Sequence, residues 1–142
     1  MSFLSPYLLA VIAGWIIAQG AKYVIKVVKT GDIRQVRQLY LSGNMPSAHA
    51  ASVIALLTVV GMIDGTASAL FALALLFASI VMYDAVMVRR SSGEQGRAIQ
   101  QLIKESKSVV TIPRAAKGHT PMEVLVGAVL GALIGVVVVL AT

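Results

Sequence analysis

Cysteine is absent from this chain, which excludes disulfides, zinc–thiolate sites and thiol nucleophiles. Charge is scarce. Asp, Glu, Lys and Arg make up 13% of the 142 residues, about half the share of an ordinary globular domain. Acidic residues are scarcest of all, six against twelve basic ones. Histidine occurs only twice, at His49 and His119. With 58% hydrophobic residues and a mean hydropathy of +0.86, the composition excludes an ordinary water-soluble domain. No ten-residue stretch alternates polar and apolar residues, which excludes a transmembrane barrel. The N-terminus lacks the basic segment of a secretory signal, has Pro6 early and runs straight into lysines.

What is present is a set of long apolar runs. Four can be drawn: about Phe3 to Ala21, Pro46 to Ile63, Thr66 to Val88, and Pro121 to Ala141. The first has no formal charge; the others carry only His49, Asp84 and Glu123, respectively. A run of ~18 or more apolar residues reads as a transmembrane helix, and ~20 residues at 1.5 Å each span ~30 Å. The expected fold is all-α: one membrane-embedded domain over residues 1–142, an integral bundle of about four transmembrane helices.

The net charge of +6 is distributed unevenly. Lys22, Lys26, Lys29, Arg34 and Arg37 follow the first run; Arg89, Arg90, Arg97, Lys104, Lys107, Arg114 and Lys117 lie between the third and fourth. The Asp64-Gly65 link and both ends have no basic residue. Basic loops stay in the cytoplasm. An inner-membrane topology with both termini outside and both basic connections inside follows. These charges are explained by orientation and anionic lipid, so no nucleic-acid partner is expected. Lys22, Lys26 and Lys29 share one face of a helical extension, and Ser42-Gly43-Asn44 has turn chemistry. From Gly93 to about Val110, Ile99, Leu102, Ile103 and Val110 recur near the helical period. This predicts a cytoplasmic amphipathic helix, on the membrane surface or on the end of the bundle. Gly127, Gly131 and Gly135 form a small-residue stripe for packing inside the bundle or for a homodimer.

The zigzag brings Gln19, Lys22, Pro46, Ser47, His49, Asp84, Arg89, Arg90, His119 and Glu123 to the same membrane face. Ionisable residues near spans are costly and mark functional sites. Pro46 suits the first turn of a helix, with Asn44 or Ser47 as its cap; the free N–H groups there favour an anion. Thr120-Pro121-Met122-Glu123 reads as N-cap, N1, N2 and N3, which makes Glu123 a capping-box residue. Glu123 also stands four residues after His119. It can orient the imidazole if His119 joins the helical turn. Of the neighbours Arg89 and Arg90, only one is expected to face the site.

Gly43-Asn44-Met45-Pro46-Ser47-Ala48-His49 resembles the Pro-Ser-x-His motif of the type-2 phosphatidic acid phosphatase superfamily. Tyr83-Asp84-Ala85 with Val88-Arg89-Arg90 and Gly93-Glu94-Gln95, then Gly118-His119-x-Pro121-x-Glu123-Val124, resemble its divergent small bacterial and plastid branch. The likeness runs from about Gln19 to Gly131.

The resemblance implies a lipid phosphatase working through a phosphohistidine. His119 is then the nucleophile, Glu123 its supporting carboxylate and His49 the general acid. Lys22, Ser47 and Arg89 or Arg90 hold the phosphate. The implied substrate is phosphatidylglycerophosphate, dephosphorylated to phosphatidylglycerol at the cytoplasmic leaflet; phosphatidic acid and polyprenyl phosphates are the other lipid substrates to consider. The mechanism requires no cofactor. The chain departs from the main branch in having Pro113 and then Arg114 where an arginine precedes the nucleophilic histidine by six residues. It also has glutamate in place of aspartate and four spans in place of six, so a homodimer is one way to close the site. Two rival readings stand beside this one. In the first, Asp84, Glu94 and Glu123 hold Mg²⁺ in a metal-assisted phosphotransferase. In the second, the chain is a non-enzymatic subunit binding anionic lipid.

Overall fold

The computed structural model describes residues 5–34, 44–107, 109–115 and 118–142. Among these residues every regular element is a helix: α1 (Pro6–Thr30), α2 (Ala48–Ile63), α3 (Ala69–Tyr83), a π-helical turn (Asp84–Val88), α4 (Arg89–Glu105) and α5 (Pro121–Ala141). Four of the helices start on a hydroxyl cap. Ser5, Ser47, Ser68 and Thr120 accept the backbone N–H of Leu8, Ala50, Phe71 and Glu123, respectively, each satisfying a donor that the first turn leaves free. α1 ends at Gly31, whose positive φ of 68° lets its N–H bond to Val27 O.

α2 is the central helix, and α1, α3 and α5 all pack on it. The buried core is dominated by alanine and valine: Ala10, Ala55 and Val59 at one end, Ala18, Ala48 and Ala51 at the other. The large side chains face outward, among them Leu8, Trp15, Phe77 and Leu133. That is the arrangement for a bilayer, where small residues let helices approach and large ones meet lipid. The glycine stripe of α5 serves this approach inside the bundle. A Cβ at Gly131 would fall 2.2 Å from Ala51 O, and one at Gly127 2.4 Å from Ser47 O.

Three helical stretches are long and apolar enough to cross a membrane: Pro6–Thr30, the continuous run Ala69–Glu105, and Pro121–Ala141. Together with the shorter apolar helix of the second run, these make up the expected all-α bundle of about four apolar helices. The second run forms a helix of only 16 residues, ~24 Å at 1.5 Å per residue. It starts late because Pro46 lies before the cap rather than in the first turn; Ser47 is the cap. The predicted amphipathic helix is present, with different bounds. It begins at Arg89 rather than Gly93, ends at Glu105, and continues α3 through the π turn rather than forming a separate element. The segment after it folds back along α4, where Gln100 Nε2 donates to Pro113 O at 2.7 Å. The helical extension through Lys22, Lys26 and Lys29 is present. Ser42, Gly43, Arg37 and Lys117 lie outside the described residues.

The two ends of the bundle differ chemically. At one, Tyr7 OH donates to Asp64 Oδ2 at 2.7 Å, tying the start of α1 to the end of α2. At the other lie both histidines, Lys22 and the π turn.

Candidate active site

The site is built on the starts of α2 and α5, which lie side by side. Ser47 N–H donates to Glu123 O at 3.0 Å, joining the two N-termini. Ser47 is completely buried, and its Oγ accepts from Ala50 N at 3.4 Å; its own hydroxyl proton is left to donate.

Glu123 does two jobs with one oxygen. Its Oε2 accepts the Thr120 backbone N–H at 3.0 Å and lies 3.1 Å from His119 Nδ1. Thr120 Oγ1 in turn accepts Glu123 N–H at 3.3 Å, completing the capping box. The capping role and the imidazole contact are therefore not alternatives. His119 precedes the cap and does not join the helical turn, yet its ring still reaches the carboxylate.

His119 is held from the other side as well. Its backbone N–H donates to Ala85 O, in the π turn, at 3.1 Å. In that turn Arg89 N–H bonds to Asp84 O, five residues back. Gly118 permits the approach, because a Cβ there would lie 2.4 Å from Arg90 N. The result is a histidine only 3% exposed. Burial pushes its pKa below the ordinary imidazole value, against the opposing pull of the Glu123 hydrogen bond.

Around this ring the structure gathers Lys22, Arg89 and His49. Lys22, on α1, is 4% exposed and acts electrostatically on both histidines, as does Arg89. Asp84 holds the Arg89 guanidinium with Nε 2.5 Å from Oδ2 and also acts on His49. His49 is exposed on α2, within electrostatic range of His119. Lys22, Lys26, Lys29, Asn44, Thr120 and Glu123 line a cavity of about 340 Å³ at the start of α5.

Two candidate residues stand apart. Arg90 pairs with Glu94 at 3.2 Å on the exposed flank of α4. Asp84, Glu94 and Glu123 are thus paired with three different partners and are not gathered as a metal site. Among the described residues no three His, Cys, Asp or Glu side chains form a cluster able to hold a metal ion. The Ala85 carbonyl and Gly118, which the sequence presents only as parts of the family-like motifs, together seat His119. Gly118, directly before the histidine, is the one visible signal. Gln19, one turn before Lys22, is buried with its Oε1 unpartnered.

The profile of the Divergent PAP2 family matches residues 3–134. The uncharacterized membrane protein YuiD of Bacillus subtilis (strain 168) is 39% identical over 111 residues, covering 68% of this chain and 70% of that protein. No solved structure matches the chain. A profile match that takes in both histidines, their carboxylate and the π turn establishes that the chain belongs to the Divergent PAP2 family.

Proposed function

We propose that this protein is a membrane lipid phosphatase that hydrolyses a phosphomonoester lipid at the cytoplasmic leaflet, with phosphatidylglycerophosphate, converted to phosphatidylglycerol, as its substrate. The observation that carries the reading is His119: a buried imidazole whose Nδ1 is held by Glu123, flanked by Lys22, Arg89 and a second histidine. The family and the membrane relative support it at the level of class, and the motif resemblance supplies the substrate.

The chemistry runs as follows. With Nδ1–H donated to Glu123, the lone pair of His119 sits on Nε2. Nε2 attacks phosphorus as the P–O ester bond breaks. The electron pair goes to the leaving oxygen, which takes a proton from the His49 imidazolium. Lys22, Arg89 and the Ser47 hydroxyl hold the phosphoryl oxygens as charge moves onto them. In the second half, neutral His49 takes a proton from water while the water oxygen attacks the phosphohistidine. The P–N bond breaks, its pair returns to Nε2, and phosphate leaves. Asp84 positions Arg89, and Glu123 positions His119. No metal takes part in any of these steps.

The test is phosphate release by purified protein from phosphatidylglycerophosphate, phosphatidic acid and a polyprenyl phosphate, with and without chelator, beside His49→Ala and His119→Ala. The expected result is release from phosphatidylglycerophosphate, insensitive to chelator and abolished in His119→Ala. Release that survives His119→Ala contradicts the assignment. Release that vanishes with chelator returns the metal-assisted reading.

A further inference from the structure

α1 and α3 both pack on α2 but hardly on each other. Between them runs an open groove of about 500 Å³ whose floor is α2. Ile12, Trp15 and Ile16 form one wall, Phe77 and Val81 the other, and Val53 lies on the floor. Its accessible lining is entirely apolar, and at one end of it stands His49. From Ile16 to Val11 the α1 wall extends ~7.5 Å at 1.5 Å per residue, away from Lys22 and toward the Tyr7–Asp64 end of the bundle.

The other cavity at this site is its opposite in character. It is lined by Lys22, Lys26 and Lys29 and reaches Glu123 and Thr120. His49 therefore borders the apolar groove, while His119 is joined to the cationic cavity through Glu123. A phosphomonoester lipid has the same two-sided make-up. Phosphorus lies between the nucleophile and the leaving oxygen, and the leaving oxygen carries the hydrocarbon. If His49 protonates that oxygen, the lipid body extends from the His49 side, where the groove begins.

We infer that the α1–α3 groove is the binding site for a hydrocarbon chain of the substrate lipid, laid along α2 with its headgroup end at His49. The inference rests on the phosphatase reading for the direction of the chain. The groove is open along its length between the two walls, so a chain slides in sideways from the bilayer and needs no channel. Its apolar lining offers nothing to a phosphate, which directs the charged end to Lys22 and Arg89. A soluble phosphate ester without a chain leaves the groove unused.

The test uses the full-length protein in phosphatidylcholine nanodiscs with phosphatidylglycerophosphate bearing a photoreactive diazirine in its acyl chain. Phosphate release is measured in parallel from that lipid and from butyl phosphate. Cross-links are expected to concentrate on Val11–Ile16 and Phe77–Val81 over the exposed outer face of α5 at Leu133 and Val137. Filling the groove with Ile12→Trp or Val81→Trp is expected to remove that enrichment. The same variants should lower the ratio of lipid to butyl phosphate turnover about tenfold, the scale on which an apolar pocket discriminates; Leu133→Trp should leave the ratio as it is. Cross-links spread evenly over all helices, with phosphate release intact, overturn the groove and leave the phosphatase reading standing. Enrichment in the groove without phosphate release from any ester supports the groove and overturns the phosphatase reading instead.

Discussion

At the scale of single residues, the site turns on a carboxylate oxygen shared between a helix cap and a ring. Glu123 Oε2 serves Thr120 N–H and His119 Nδ1 together, so Glu123→Gln disturbs both. Its effect on turnover should be a fall of about 10²-fold in kcat, the scale of a lost acid–base orientation, measured as phosphate release. The same variant reports on pH. In the proposed mechanism His119 attacks only when neutral, and burial already holds its pKa below the ordinary value, which is ~6.5. The acid limb of the rate profile should therefore lie below that value, with activity lost as pH falls through the depressed pKa. The Glu123 hydrogen bond pulls the pKa up, so its removal should move the acid limb to still lower pH. A limb that moves upward in Glu123→Gln contradicts this account. The two arginines separate in the same assay: Arg89→Gln should cost much of kcat/KM, whereas Arg90→Gln, whose guanidinium pairs with Glu94 on the exposed flank, should cost little.

At the scale of elements, close approach is carried by glycines that meet neighbouring backbone. Gly131→Ala drives a methyl group into the carbonyl of Ala51 and should destabilise by about 1–3 kcal/mol, the usual cost of overpacking. Gly20→Ala meets nothing within 4 Å and should stabilise by up to ~1 kcal/mol through helix propensity alone. Thermal unfolding in detergent distinguishes the two. What is legible at this scale is what is local. The start of α5 can be read from four consecutive residues, Thr120 to Glu123, because cap, proline and carboxylate all act within one turn. The start of α2 cannot. A proline fits both the first turn and the position before the cap, and here the choice goes with Ser47, whose N–H bonds to Glu123 O on another helix. The π turn has no local signature either. It is expressed in a backbone register, Arg89 N–H to Asp84 O, and in a carbonyl given to His119. For the same reason the sequence cannot choose between Arg89 and Arg90; their separation follows from how the helix continues through that turn.

At the scale of the whole molecule, hydropathy and charge together set the ionisable residues of the candidate site at one end of the bundle. The runs that predict spans are the runs that form α1, α3 and α5, while α2 is shorter than its run and is surrounded by the other three. Basic residues collect at the histidine end, and the Tyr7–Asp64 contact closes the other. The proposed cytoplasmic placement of the basic end predicts that reporters fused to either terminus will be active only outside the cytoplasm. A cytoplasmic terminus contradicts that orientation. The central claim, that the buried histidine is the group that takes up the phosphoryl group, is tested most directly by trapping. Protein mixed with a lipid labelled in its terminal phosphate is quenched within one turnover under alkaline conditions, where phosphohistidine survives, and digested for peptide mapping. The account predicts label on the peptide carrying His119, lost in His119→Ala. Label on any other residue, or turnover with no labelled protein at any time, would contradict it.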